Sequence, residues 1–242
     1  MEMPLKRTRL SPLSEFSFRC ARCSQCCRDK KIQVNPYEIA RIAGNRGIST
    51  SDCIARFTRD GGTYLSQDEK GDCVFQGPDG CSIHPDRPLV CRLYPLGRQV
   101  NGLGDESFSE VDPIPPCPGE RNAQGTIAEY LAAQETGPFV AAADEYLRLF
   151  IEVGDIVLGA ARGSKDQNRI LALARRSPAG AGAERTELLD MDAAVSTYCA
   201  ARDIPFPVDV EQKTLCHIQA VRSWAESIRR LQGESSNEEQ RA

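Results

Sequence analysis

The spacing of apolar residues changes character near residue 120. Before it, apolar positions come in short runs broken by Gly, Pro, Asn and Asp, the pattern of brief strands and tight turns. Beyond it they recur at three- and four-residue intervals, as in helices with one buried face. Residues 1–15 predict an irregular lead-in, because Pro4 and Pro12 interrupt any regular element; Phe16 and Phe18 are the first anchors to the body. Asn35-Pro36-Tyr37-Glu38 predicts a helix start, with a capping side chain, a proline in the first turn and a carboxylate at the positive helix end. Ile39, Ile42 and Ala43 supply its apolar face, and Gly44 and Gly47 its end. A second short helix is expected over about 51–59, with Cys53, Ile54 and Phe57 on one face.

From Thr63 to Ile83 the pattern predicts short strands, with a turn at 76–80 joining Cys73-Val74-Phe75 to Cys81-Ser82-Ile83. A helical turn from Asp86 presents Cys91 before Pro95 stops it, and a second hairpin is expected between Leu96 and Val111 around Asn101 to Asp105. Farther on, Thr126 with Glu129 and Ser164 with Gln167 predict capping boxes. Between them, Phe139, Val140, Tyr146, Leu147, Leu149, Phe150, Ile151, Val153, Ile156, Val157 and Leu158 predict one long, largely buried helix. Residues 177–183 read as a flexible linker, 186–202 and 209–232 as two further helices, and 233–242 as a disordered tail. The class expected is α+β, mainly α. A cysteine-rich domain over 16–119, with short β-hairpins, precedes a helical region over 120–232 that packs on it.

Composition narrows the role less than the pattern does. Hydrophobic content of 40% and charged content of 26% are ordinary for a globular chain, and a net charge of −4 offers no global attraction to nucleic acid or anionic lipid. Residues 1–10 are polar and charged, unlike a signal peptide, and no stretch reaches the roughly 20 apolar residues of a membrane span. The expected compartment is the reducing cytoplasm. There, eleven cysteines are better explained as metal ligands and buried thiols than as disulfides.

Spacing sorts those cysteines. Cys20, Cys23 and Cys26 form Cys-x2-Cys-x2-Cys, and Cys117-Pro118 resembles the remote Cys-Pro that completes a ferredoxin-type set. Cys27 follows Cys26 directly, and adjacent side chains diverge, which suggests two centres or one multinuclear cluster. The eight candidate ligands divide into Cys20, Cys23, Cys26 and Cys117 against Cys27, Cys73, Cys81 and Cys91, although spacing alone allows exchange between the sets. Cys53, Cys199 and Cys216 sit singly on expected helices and read as core residues. His84 is a candidate ligand, a donor behind the ligands or a turn residue, and His217 a surface or helix-packing residue. Zinc knuckles favour two compact Cys pairs, whereas iron-sulfur clusters tolerate scattered ligands, so a cluster, 4Fe-4S by analogy, is expected ahead of zinc. Arg19, Arg22, Arg28, Lys30 and Lys31 surround the motif and either offset thiolate charge or form a solvated basic loop. No aromatic residues are interleaved with them, so nucleic acid is not the expected partner. A protein partner of unknown identity is expected instead.

Taken together, Phe18-x-Cys20-x2-Cys23-x2-Cys26-Cys27, Glu38-Ile39, Ile42-Ala43, Cys73-x-Phe75, Cys81-x-Ile83, Arg87-Pro88-x2-Cys91-Arg92 and Tyr94-Pro95 resemble the YkgJ-type cysteine-cluster family, the zinc- or iron-chelating CxxCxxCC domain. The resemblance covers about residues 16–118. It implies metal chelation, with redox, sensing or cluster-dependent modification of a partner as the role, or a structural zinc module that docks a protein. Flagellin lysine N-methylases share a related cluster. This chain shows neither a strand leading into a Gly-x-Gly loop and helix nor a Cys-x3-Cys-x2-Cys of the radical type, so methylase activity does not carry over, and catalytic residues are not assigned.

Overall fold

The computed structural model describes residues 5–112, 117–121, 124–163 and 188–239. In it the chain is α+β and mainly α, with short antiparallel sheets. Two compact units form. Unit 1 comprises Met1–Val34 and Tyr64–Ala141, and unit 2 comprises Asn35–Thr63 and Ala142–Ala242.

Unit 1 is built on a three-stranded antiparallel sheet of β1 (Leu5–Leu10), β7 (Glu106–Val111) and β6 (Leu96–Val100), in that order across the sheet. The β6–β7 hairpin runs in register from Leu96↔Glu110 to Val100↔Glu106. Asn101 closes it, its Oδ1 accepting the Leu103 and Asp105 amides at 2.9 and 2.8 Å, as its turn sequence predicts. Strand β1 replaces the lead-in expected over 1–15. Its Leu5-Lys-Arg-Thr-Arg-Leu10 sequence has no clean alternation. Pairing with β7 holds it instead, through a register interrupted between Leu5, Arg7 and Leu10 and an Arg7 Nε–Glu110 Oε2 contact of 2.6 Å. Beneath the sheet Phe16, Phe18, Leu96, Phe108, Ile127 and Tyr130 form one buried cluster, with Cys117 and Tyr94 against it. Its aromatic members meet edge-on, Phe16 and Tyr130 at 4.9 Å between centroids.

The remaining elements of unit 1 are small. Strands β3 (Tyr64–Leu65), β4 (Gln76–Gly77) and β5 (Gly80–Cys81), helix α3 (Leu89–Leu93) and helix α4 (Ile127–Ala133) carry or back the cysteines. The Thr126 capping box with Glu129 is formed.

Unit 2 is helical. It holds α1 (Pro36–Arg46), α2 (Thr50–Phe57), β2 (Thr58–Arg59), most of α5 (Gly137–Gly163), α6 (Met191–Ala200) and α7 (Val210–Glu239). Helix α1 starts as expected: Asn35 and Glu38 form a reciprocal capping box, Pro36 opens the first turn, and Gly47 ends it at φ 63°. The division into units differs from the boundary expected at residue 119, because 35–63 join the later helices. Ile39, Ile42, Cys53, Tyr146, Leu149, Met191, Val195 and Val221 are buried in unit 2. Helix α7 continues to Glu239, through part of the tail expected over 233–242. The linker expected over 177–183 and the Ser164–Gln167 capping box lie outside the described residues.

Candidate metal centre

The cysteine loop bends through residues that side chains rarely favour. Arg22, Ser24 and Asp29 have φ of 53°, 60° and 54°, so the backbone reverses between successive cysteines instead of extending. Ser24 leads into a single 3-10 turn, Gln25–Cys27, closed by Cys27 N–H donating to Ser24 O at 2.9 Å. A ladder then fixes the next sulfur: Cys73 N–H donates to Cys27 O at 3.0 Å, Asp29 N–H to Gly71 O at 2.8 Å, and Arg28 forks onto Asp72 at 2.6 and 2.9 Å. Gly71 is required there. Its φ is +80°, and a Cβ would collide with the Asp29 carboxylate.

Cys81 follows through the expected hairpin, where Gln76 pairs with Cys81 and Ser82 N–H donates to Phe75 O at 2.9 Å. Gly80, at φ +94°, lets the hairpin approach the Arg22 carbonyl. Cys91 rides on α3, which Arg92 locks from inside. The buried Arg92 guanidinium donates to Arg87 O at 3.1 Å, Gln134 O at 2.8 Å and Pro85 O, and lies 3.9 Å from the Phe139 ring centroid. Tyr130 donates to Tyr94 O at 2.7 Å and Arg92 O at 3.1 Å. Cys117 returns through a backbone pair, Arg19 N–H to Glu120 O at 2.9 Å and Glu120 N–H to Arg19 O at 3.1 Å. Gly119 permits that approach, since a Cβ there would stand 2.9 Å from Arg19 O and inside the Phe18 ring.

The result is a cavity of about 200 Å³ in unit 1, lined by Cys20, Cys26, Cys27, Cys73, Cys81 and Cys91. Arg22, Lys30, Lys31 and Arg87 also line it, and among the described residues no Asp or Glu does. Cys23 and Cys117 stand beside each other next to Cys26. The sulfurs act on one another. A hydrogen bond from the Cys27 thiol, aided by Lys30, holds the Cys26 thiol down to about 7 despite burial. Cys27 is pushed up by that bond, by burial and by the charges of Cys26, Cys91 and Cys73. Burial raises Cys73, with Cys81 and Cys26 adding to it, and burial raises Cys117, with Cys23 and Cys26 adding. Two backbone amides already point at sulfurs, Arg22 N–H at Cys20 Sγ (3.3 Å) and Gly119 N–H at Cys117 Sγ (3.4 Å).

Among the described residues no three Cys, His, Asp or Glu side chains already converge on one point as a metal ion requires. The donor chemistry nevertheless fits a soft metal: thiols gathered round one hollow, cations to offset their charge, and no competing carboxylate. Thiols must lose protons to bind, and they draw together only on the ion they bind. His84 lines the same cavity, with its Nδ1 turned to Arg87. Arg87 Nη1 donates to His84 Nδ1 at 3.2 Å, and since arginine only donates, the neutral ring carries its proton on Nε2. Burial, then Arg87, Arg22 and Arg92, push His84 down to about 4, so it stays neutral. Cys53, Cys199 and Cys216 are buried in unit 2, as expected of core thiols. Sequence alone does not announce the buried roles of Arg92, Tyr130, Gln134 and Gly119, although Arg92 stands in the Arg87-Pro88-x2-Cys91-Arg92 motif. The Arg-x4-Arg spacing of Arg87 and Arg92 around Cys91 is the one trace of them.

Unit 1 therefore carries a cysteine frame whose donor chemistry suits a soft metal. Residues 19–113 match the family model CxxCxxCC, described as "Putative zinc- or iron-chelating domain", in accord with the resemblance read from the motifs. The chain is also similar to the uncharacterized protein MJ0661 of Methanocaldococcus jannaschii, 30% identical over 92 residues, which is 36% of this chain and 50% of that protein. The chain thus spans about half the length of that relative. No solved structure matches it. Among the described residues no helix is long and apolar enough to cross a membrane.

Proposed function

We propose that unit 1 holds an iron-sulfur cluster, 4Fe-4S by the analogy of its cysteine spacing, and uses it in redox chemistry, sensing or modification of a partner protein in the cytoplasm. Cys20, Cys23, Cys26 and Cys117 form one ligand set, and Cys27, Cys73, Cys81 and Cys91 the other. The observation that carries this reading is the six-cysteine cavity with four cationic residues and no carboxylate on its walls. The neighbour relations among the sulfurs link the two sets through the hydrogen bond between Cys26 and Cys27. Cys117 is influenced by Cys23 and Cys26, Cys27 by Cys73 and Cys91, and Cys73 by Cys81, while Cys26 touches both groups. A bound cluster would supply electron transfer at a potential that N–H···S bonds tune. The chain's part is to place the thiolates, offset their charge with Arg22, Lys30, Lys31 and Arg87, and back the hollow with Phe75, Ile83 and Leu65.

Zinc remains the second reading, because the matching family is described for either metal. Purification without oxygen, followed by iron, acid-labile sulfide and zinc analysis with a visible spectrum, separates them. Iron and sulfide with broad absorption near about 400 nm support the cluster. A colourless protein with stoichiometric zinc overturns it and makes the site structural. Cys26→Ser should bleach the cluster absorption; in a zinc protein it should lower zinc content and melting temperature.

A further inference from the structure

Helix α5 carries two apolar faces. Tyr146, Leu149, Val153 and Ile156 are buried in unit 2, whereas Leu147, Ile151 and Leu158 on the far side are 53%, 56% and 53% exposed. Sequence alone predicts the whole run to be buried. A helix apolar on both faces is normally covered on both.

Leu147, Ile151, Gly154 and Leu158 follow one another at intervals of four, three and four residues, the rhythm of a seam between two helices. Arg148 and Asp155, both exposed, lie on one flank of that row; Phe150 and Val157, both half-buried, lie on the other. An antiparallel second copy sets Leu147 against Leu158 and Ile151 against Gly154, large against small. It also brings like flanks together. Arg148 of each copy then meets Asp155 of the other, twice by symmetry, and Phe150 meets Val157. A parallel pair would stack Gly154 on Gly154, leaving a gap, and would face Asp155 with Phe150. Arg148 reaches Glu145 of its own helix at 2.9 Å, an exposed contact that leaves its remaining donors for a second carboxylate.

We propose that this face of α5 is the self-association surface of the protein and pairs antiparallel with a second copy. Sedimentation of the full chain over a wide dilution series tests it. The expected result is a reversible dimer whose dissociation constant rises about tenfold or more in Arg148→Asp or Asp155→Arg and recovers when both are combined. Gly154→Trp gives an independent check. Among the described residues nothing lies within 4 Å of a Cβ at Gly154, so the fold keeps its helical circular dichroism while the added ring blocks the seam. A chain that stays monomeric throughout, or a dimer indifferent to both charge reversals, overturns the proposal.

Discussion

Cys26 and Cys27 show what one residue step can do. Adjacent side chains diverge in a strand or a regular helix, but a lone 3-10 turn entered from left-handed Ser24 sets both on one cavity and bonds one thiol to the other sulfur. The pair therefore shares one negative charge near neutral pH. In metal-free protein, alkylation of Cys26 should rise through pH about 7, ahead of Cys27, whose thiol stays protonated. Mass mapping of iodoacetamide adducts across pH checks this, and equal labelling of the two would refute it. His217 gives a second test in unit 2. It is fully buried, its Nδ1 is 2.9 Å from the Tyr146 hydroxyl, and its Nε2 has no hydrogen-bond partner among the described residues. Burial pushes it down to about 3. The folded ring refuses a proton that the unfolded chain accepts below about 6.5, so stability is complete above 6.5 and declines as pH falls toward 3. Urea unfolding at a series of acidic pH values should show this decline flattening in His217→Leu, by at most about 1.4 kcal/mol per pH unit.

Elements were readable from sequence where local chemistry decides them and opaque where pairing does. The cap at Asn35, the box at Thr126 and the Asn101 turn need only neighbours within five residues, and each forms. Strand β1 needs β7, about a hundred residues away, and nothing inside Leu5–Leu10 announces that. The eight cysteines stand out by spacing, whereas the residues that bring their loops together act across 40 to 50 positions: Arg28 with Asp72, Arg92 with Gln134. The same holds for the junction of α2 and α6. Buried Asp190 caps α6 through Ala193 N–H and accepts the Thr50 and Ser51 hydroxyls at 2.6 and 2.5 Å; Thr50 Oγ1 accepts Asp192 N–H at 2.8 Å. Two helix starts thus cap each other. Asp190→Ala should destabilise unit 2 by about 2–4 kcal/mol, because it removes a cap and strands a buried hydroxyl. Asp190→Asn should cost less. Chemical denaturation followed by Trp224 fluorescence measures both, and an effect below about 0.5 kcal/mol for alanine would show the junction to be incidental.

For the whole molecule, the division into two units separates what a metal can and cannot stabilise. The cysteine frame lies entirely in unit 1, held by short strands, single turns and left-handed residues, with few long helices to support it. Unit 2 has its own core of buried Ile, Leu, Val and Met side chains and needs no ion to form it. A metal held by the folded frame and only weakly by the unfolded one would turn its binding energy into folding energy for unit 1. Removing it with a strong chelator should lower the melting of unit 1 by more than about 10 °C. The transition reported by Trp224, the single tryptophan and a residue of α7, should move little. Calorimetry, near-ultraviolet dichroism of the unit 1 tyrosines and tryptophan fluorescence on the same samples distinguish the outcomes. If all three transitions fall together, the two units melt as one cooperative body. If none moves, the cysteines are not the metal frame on which unit 1 depends.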